Sequence, residues 1–152
     1  MRRLLFILAA LMVMTATSCK KEEKGFDCKT TLIGEWHCTP EGIDAEIYAA
    51  FDDSGSFDLY QKVGEGRYRY YTGTWTCDGN TLSGIYSDGV AWGSSYTVDF
   101  TDKNNMTFTA LNGSEEVMAY TRESVPSEVK EGCIEVKSSL RMLNSQPQYR
   151  WL

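Results

Sequence analysis

The chain has 152 residues, of which 42% are hydrophobic and 24% are charged, and its 21 acidic and 15 basic residues give a formal net charge of −6. This length fits one domain with enough apolar residues for a single core. Because phosphate contacts need clustered Lys and Arg, and no segment of the sequence carries a basic face, the composition argues against nucleic acid as a partner.

Residues 1–18 have the order of a secretory signal peptide. Two arginines precede the apolar run Leu4–Val13, and small and polar residues follow up to Cys19. The run is too short for a transmembrane helix, which needs about 20 apolar residues. The residues before Cys19 resemble the bacterial lipobox, in which the cysteine is acylated and becomes the mature N-terminus. This resemblance implies a lipoprotein of the bacterial envelope, held in the outer membrane by acyl chains such as palmitate; a plain signal peptide cut elsewhere is the alternative.

Residues 19–30 are charged and nearly devoid of apolar side chains, which indicates a solvated tether. Residues 31–122 then show period-two alternation broken by turn residues, so we predict an all-β domain with eight strands. The predicted inward positions, strand by strand, are Leu32, Gly34, Trp36 and Cys38; Ile47, Ala49 and Phe51; Phe57, Leu59 and Gln61; Arg69, Tyr71, Gly73, Trp75 and Cys77; Leu82, Gly84 and Tyr86; Tyr96, Val98 and Phe100; Met106, Phe108 and Ala110; and Met118, Tyr120 and Arg122.

The connections after the second predicted strand are short enough for hairpins. Consecutive hairpins predict an eight-stranded antiparallel up-and-down barrel, and a two-sheet β-sandwich is the alternative. The remaining residues, 123–152, are less regular and end in the aromatic stretch Tyr149–Leu152. We expect them to form a C-terminal tail docked on the barrel.

Four cysteines remain besides the predicted lipidation site. An even number in an exported chain predicts two disulfides, whereas the spacing of these cysteines does not fit a zinc site. Because the first and last strands of an up-and-down barrel are neighbours, we predict a Cys28–Cys133 disulfide. The shared inward parity of the other two cysteines predicts Cys38–Cys77. No metal and no other cofactor are expected.

Two segments, residues 34–38 and 73–77, both read Gly-x-Trp-x-Cys on a predicted strand. The first resembles the Gly-x-Trp motif that opens the first strand of lipocalins. The whole predicted barrel domain is similar to the lipocalin-like domains of bacterial lipoproteins. That resemblance implies that the motif tryptophan closes one end of the barrel and that an arginine of the last strand packs over it. Gly34 and Trp36 would form the motif, and Arg122 would be the arginine.

The sequence lacks the residue combinations of common enzyme sites. His37 is the only histidine, no acidic residue has an inward position, and no glycine-rich phosphate loop occurs. We therefore expect a protein that is not an enzyme.

Two binding hypotheses follow, because an eight-stranded barrel is just wide enough to hold one small ligand or to be filled by its own side chains. In the first, a small hydrophobic or amphipathic ligand binds at the barrel mouth, lined by Tyr71, Trp75, Tyr96 and Phe100. Arg69 would be its polar anchor, unless this side chain lies at the rim with its head in water.

In the second hypothesis the barrel is filled, and the protein is an envelope interaction module. It would contact a protein or glycan through exposed aromatic residues, namely Tyr68, Tyr70 and Trp92. For Trp92, which lies in a glycine-bracketed loop, the alternative is that it folds back as a lid over the barrel mouth.

Overall fold

The computed structural model of the protein describes residues 25–136 and 150–152. The predicted signal peptide, Cys19, the start of the predicted tether and Tyr149 lie outside these residues. The described elements are, in chain order, α1 (Cys28–Thr31), β1 (Gly34–Cys38), β2 (Ala45–Phe51), β3 (Ser56–Val63), β4 (Arg69–Asp78), β5 (Thr81–Tyr86), β6 (Tyr96–Asp102), β7 (Asn105–Ala110), β8 (Val117–Arg122), α2 (Ser127–Gly132) and β9 (Ile134–Glu135). None of the helices in the described part is long and apolar enough to cross a membrane.

Strands β1 to β8 form a closed antiparallel barrel. Each strand pairs with the next along the chain, and β8 returns to pair with β1, with Trp36 opposite Arg122. The predicted up-and-down barrel is therefore confirmed, and the two-sheet sandwich is wrong because the sheet is continuous around the axis. The short β9 adds in parallel to the start of β4, at Arg69 and Tyr70, where β4 extends beyond its pairing with β5.

The core fills the barrel with aromatic rings. Phe51 meets Trp75 at a centroid distance of 5.7 Å and Phe108 at 6.5 Å, and Phe108 meets Tyr120 at 4.7 Å. Such tilted and edge-to-face pairs add about 0.5–1.5 kcal/mol each to the burial of the rings. The period-two pattern of the sequence thus places one face of every barrel strand in a single continuous core.

The two ends of the barrel differ, and we name them the α1 end and the loop end. The α1 end carries the tight β2–β3, β4–β5 and β6–β7 turns and the helix α1. The side chain of Asp27 caps this helix by accepting a hydrogen bond from the Thr30 amide at 3.0 Å. Residues 28–30, which we assigned to the tether, are therefore part of the folded domain. The loop end carries the longer connections, including residues 87–95 between β5 and β6.

A disulfide joins Cys28 of α1 to Cys77 of β4, with the Cα atoms 6.3 Å apart. Both predicted pairings, Cys28–Cys133 and Cys38–Cys77, are wrong. Cys77 lies at the α1 end of β4, whereas Cys38 lies buried at the opposite end of β1, and Cys133 follows α2 outside the barrel. These two described cysteines are free thiols. The prediction failed because α1 folds across the barrel end and carries Cys28 to β4.

A second, smaller core lies on the outer face of the barrel beneath the segment that contains α2. Tyr48 and Tyr60 point outward from β2 and β3, and Val125 and Val129 cover them. All four side chains are at most 8% exposed. The described part of the tail up to β9 is thus packed against the outer wall.

Candidate functional site

The residues of the Gly-x-Trp motif lie together at the α1 end. The Arg122 guanidinium lies 4.2 Å above the Trp36 ring and donates to the carbonyl oxygens of Thr31 and Ile33 at 2.7 and 2.9 Å. A Cβ at Gly34, where φ is +133°, would lie 2.2 Å from Nη1 of this arginine. Glycine at this position therefore leaves the space that the arginine occupies.

The loop end is occupied by residues 150–152, which we name the guest segment. Trp151 and Leu152 are 3% and 1% exposed, and both belong to the core that fills the barrel. These side chains are not part of the barrel wall, because neither residue lies on a strand. The lumen at this end therefore holds guest side chains in addition to those of its own strands.

Polar groups of the wall hold the main chain of this guest segment. The Trp151 amide donates to Oε1 of Gln61 at 3.2 Å, and its carbonyl oxygen accepts from the Tyr96 hydroxyl at 3.3 Å. The main-chain oxygen of Leu152 accepts from the Tyr86 hydroxyl at 2.8 Å and from the Gly93 amide at 3.1 Å. The wall thus recognises the main chain of the segment as well as its side chains.

A buried ion pair holds the remaining guest residue. Arg150 makes a bidentate contact with Asp88, with Nη2–Oδ2 at 2.6 Å and Nη1–Oδ1 at 3.3 Å. Both side chains are less than 10% exposed. The guanidinium also lies 4.3 Å from the centre of the Tyr86 ring and 5.1 Å from that of Tyr71. Burial raises the pKa of Tyr86, against the lowering effect of the nearby Arg150 charge. The tyrosine therefore stays neutral and offers its ring face to the cation.

The predicted ligand-lining residues do not form one site. Tyr71 and Tyr96 contact the guest segment at the loop end, as described above. Trp75 and Phe100 lie near the α1 end, where they line two solvent-open clefts of about 430 and 410 Å³. Arg69 is exposed at the start of β4, at the rim of the loop end. The structure therefore brings together two of the five predicted residues.

The sequence did not point to Asp88 and Gly93, because the alternation of inward and outward side chains along a strand does not extend into the β5–β6 loop. Gln61 did carry a signal: it is a polar residue at an inward position of a predicted strand, and it is 3% exposed. Tyr86 was predicted to point inward but was not assigned to the site, since nothing in the sequence separates a packing tyrosine from a hydrogen-bonding one.

The prediction that Trp92 is exposed is wrong, because residues 90–92 pair with β5 and the Trp92 side chain belongs to the barrel core. Trp92 is 6% exposed, and its ring lies against Phe57 and Tyr96 at centroid distances of 5.1 and 6.3 Å. A Cβ at Gly84 would lie 2.3 Å from this ring. The glycine of β5 therefore leaves the space that the Trp92 ring occupies.

The other two predicted surface aromatics, Tyr68 and Tyr70, lie on the outer face as expected, but they are half-buried beside the α2 core. The Tyr68 hydroxyl donates to Glu46, and the Tyr70 hydroxyl donates to Asp58 at 2.6 Å. Burial and these carboxylates raise the pKa of both tyrosines. Their hydroxyls are thus engaged within the chain, and Tyr70 also stacks on Tyr60 at 5.0 Å.

Comparisons with known proteins do not assign a family to the chain. No protein-family model matches the chain, and no curated protein matches it in sequence. Among residues 25–136 and 150–152, no group of three or more His, Cys, Asp and Glu side chains is placed to hold a metal ion.

Proposed function

We propose that this protein is a lipid-anchored, lipocalin-like binding protein of the bacterial envelope that takes a small hydrophobic or amphipathic ligand at the loop end of its barrel. The observation that supports this is the burial of Trp151 and Leu152 inside the lumen. A barrel filled by its own wall has no room for two large side chains from outside that wall. An eight-stranded barrel with spare space is of the size that holds one small ligand.

The position of residue 25, the first described residue, fits this proposal. Residue 25 precedes α1, which lies at the α1 end, so a tether from a lipidated Cys19 reaches the domain at that end. The loop end, on this arrangement, points away from the bilayer. A ligand then reaches the lumen from the aqueous side.

The alternative, an interaction module that uses exposed aromatics, has less support. Trp92 is buried, and Tyr68 and Tyr70 are half-covered and hydrogen-bonded to carboxylates of the same chain. Their rings therefore present little free face for a glycan or protein to stack on.

The test is the binding of a fluorescent apolar probe, N-phenyl-1-naphthylamine, to the full chain. Because the guest segment competes for the lumen, we expect Trp151→Ala/Leu152→Ala to bind the probe on the order of tenfold more tightly than the parent protein. A matched control is Ile85→Ala/Val117→Ala, which removes two side chains that are more than half exposed on the outside of the barrel. This control should bind the probe like the parent.

Saturable binding that weakens when excess unlabelled nonionic detergent monomer is added would support a lumen site. Equal and non-saturable fluorescence in the parent and both variants would refute the proposed function.

A further inference from the structure

Given the ligand-binding function proposed above, on which this depends, we propose that the ligand is a short cationic peptide in which an arginine is followed by two large apolar residues. The loop end then acts as a peptide receptor, and residues 150–152 occupy it as an internal ligand. The three parts of the site that carry this proposal are a charged pocket, a set of main-chain contacts and an apolar lumen.

The charged pocket selects a planar cation. The carboxylate of Asp88 is 8% exposed and receives both terminal nitrogens of Arg150. Two parallel hydrogen bonds to a carboxylate match a guanidinium better than an ammonium group. Tyr71 and Tyr86 add aromatic faces within 5.1 Å of the same guanidinium. A buried carboxylate is costly without a paired cation, so a ligand that displaces Arg150 must bring a positive charge of its own.

The main-chain contacts select a peptide. Gln61 accepts from one guest amide, while Tyr86, Tyr96 and Gly93 donate to two consecutive guest carbonyl oxygens. These groups of the barrel are therefore spaced to meet the amide and the oxygens of two consecutive residues. A fatty acid has neither the amide donor nor the second carbonyl group, and it brings no cation to replace Arg150 beside Asp88.

The lumen selects the two residues after the arginine. Trp151 and Leu152 are almost completely buried and belong to the core that fills the barrel. Burial of two such side chains provides most of the binding free energy, whereas the ion pair provides specificity. Because the internal segment is tethered to the barrel, a peptide in solution has to compete against a high effective concentration. Binding to the parent protein is therefore weaker than binding to a protein with an emptied site.

The test uses a full-length chain with an emptied site, Arg150→Gly/Trp151→Ser/Leu152→Gly. Isothermal titration calorimetry compares two probes, acetyl-Arg-Trp-Leu-amide and the same peptide with citrulline, which is neutral but has nearly the shape of arginine. We expect the arginine peptide to bind on the order of tenfold to a hundredfold more tightly than the citrulline peptide. Adding Asp88→Asn to the emptied variant should reduce this ratio to about threefold or less, whereas Asp53→Asn, at the exposed β2–β3 turn, should leave it unchanged.

The outcomes separate this inference from the function on which it depends. If the emptied variant binds N-phenyl-1-naphthylamine but neither peptide, or binds both peptides equally, the ligand class is wrong while the binding function stands. If it binds neither the dye nor the peptides, both fail. If the variant does not fold alone, the same pair of peptides is added during refolding: recovery of the parent circular dichroism with the arginine peptide alone supports the proposal, and recovery with neither peptide or with both overturns it.

Discussion

The Cys28–Cys77 disulfide should make a large contribution to the stability of this small domain. It closes a loop with a sequence separation of 49 residues. A cross-link of that size lowers the entropy of the unfolded chain by about 14 cal/mol/K, which corresponds to about 4 kcal/mol at 25 °C. Since the free energy of unfolding of whole domains is about 5–15 kcal/mol, we expect the domain without this bond to be only marginally stable at physiological temperature.

The assay is urea unfolding and, separately, thermal unfolding of the parent protein and of Cys28→Ala/Cys77→Ala. The double variant should unfold with a free energy lower by about 4 kcal/mol and with a midpoint temperature lower by roughly 10–20 °C. Cys133→Ser is the matched control, because it removes a described free thiol that lies outside the barrel. This control should stay within about 0.5 kcal/mol of the parent.

Two results would refute this reasoning. Non-reducing peptide mapping that recovers Cys28 joined to any cysteine other than Cys77 would show that α1 does not fold across the barrel end. A double variant within about 1 kcal/mol of the parent would show that the loop is already constrained in the unfolded state.

Three further predictions concern other parts of the chain. Gly34→Ala should lower the free energy of unfolding by roughly 1–3 kcal/mol, because its Cβ would meet the guanidinium of β8 at 2.2 Å, whereas Gly42→Ala, which has a positive φ but no such neighbour, should lose less. Glu46→Gln should weaken the loss of stability at acid pH, as urea unfolding at several pH values can measure. A hydrogen bond from Tyr68 keeps the pKa of Glu46 below its ordinary 4.5, so the stabilisation by this carboxylate is present above about pH 4.5 and is lost as pH falls through the folded-state pKa. Cys19→Ser should move the protein from the membrane fraction to the soluble fraction when cells are fractionated, and unchanged sedimentation with membranes would refute lipidation at this residue.

The barrel could be predicted from the sequence because it depends on features of neighbouring residues in the chain. Period-two alternation specifies which side chains point inward, and short connections specify that neighbours in the chain are neighbours in the sheet. Inward or outward position does not by itself decide burial where a strand meets an end of the barrel, or where another segment covers the outer face, as at Tyr48 and Tyr60. Gln61 and Arg69 face each other across β3 and β4, yet the first is buried and the second is exposed at the rim.

The site could not be predicted in the same way, because it depends on contacts between distant segments. Asp88 and Arg150 are separated by 62 residues, and neither lies on a strand. The disulfide depends similarly on where α1 comes to rest. The sequence did contain a signal for a buried group near β5, because Gly84 lies at an inward position of a predicted strand. A glycine there marks a place where another group approaches the backbone closely, and in the structure that group is the Trp92 ring.

The difference between the two ends decides which of them can open. At the α1 end, a covalent bond to β4 and the Arg122 contacts with the carbonyl oxygens of Thr31 and Ile33 tie the helix to the barrel. At the loop end, residues 150–152 are held without a covalent cross-link among the described residues, by an ion pair, hydrogen bonds and apolar burial, and we propose that a ligand of the same chemistry replaces these contacts. Local opening therefore requires less free energy at the loop end than at the α1 end. On the proposed lipid anchoring, the tether joins the domain at the α1 end, so the loop end, where we propose that the ligand binds, would face away from the membrane.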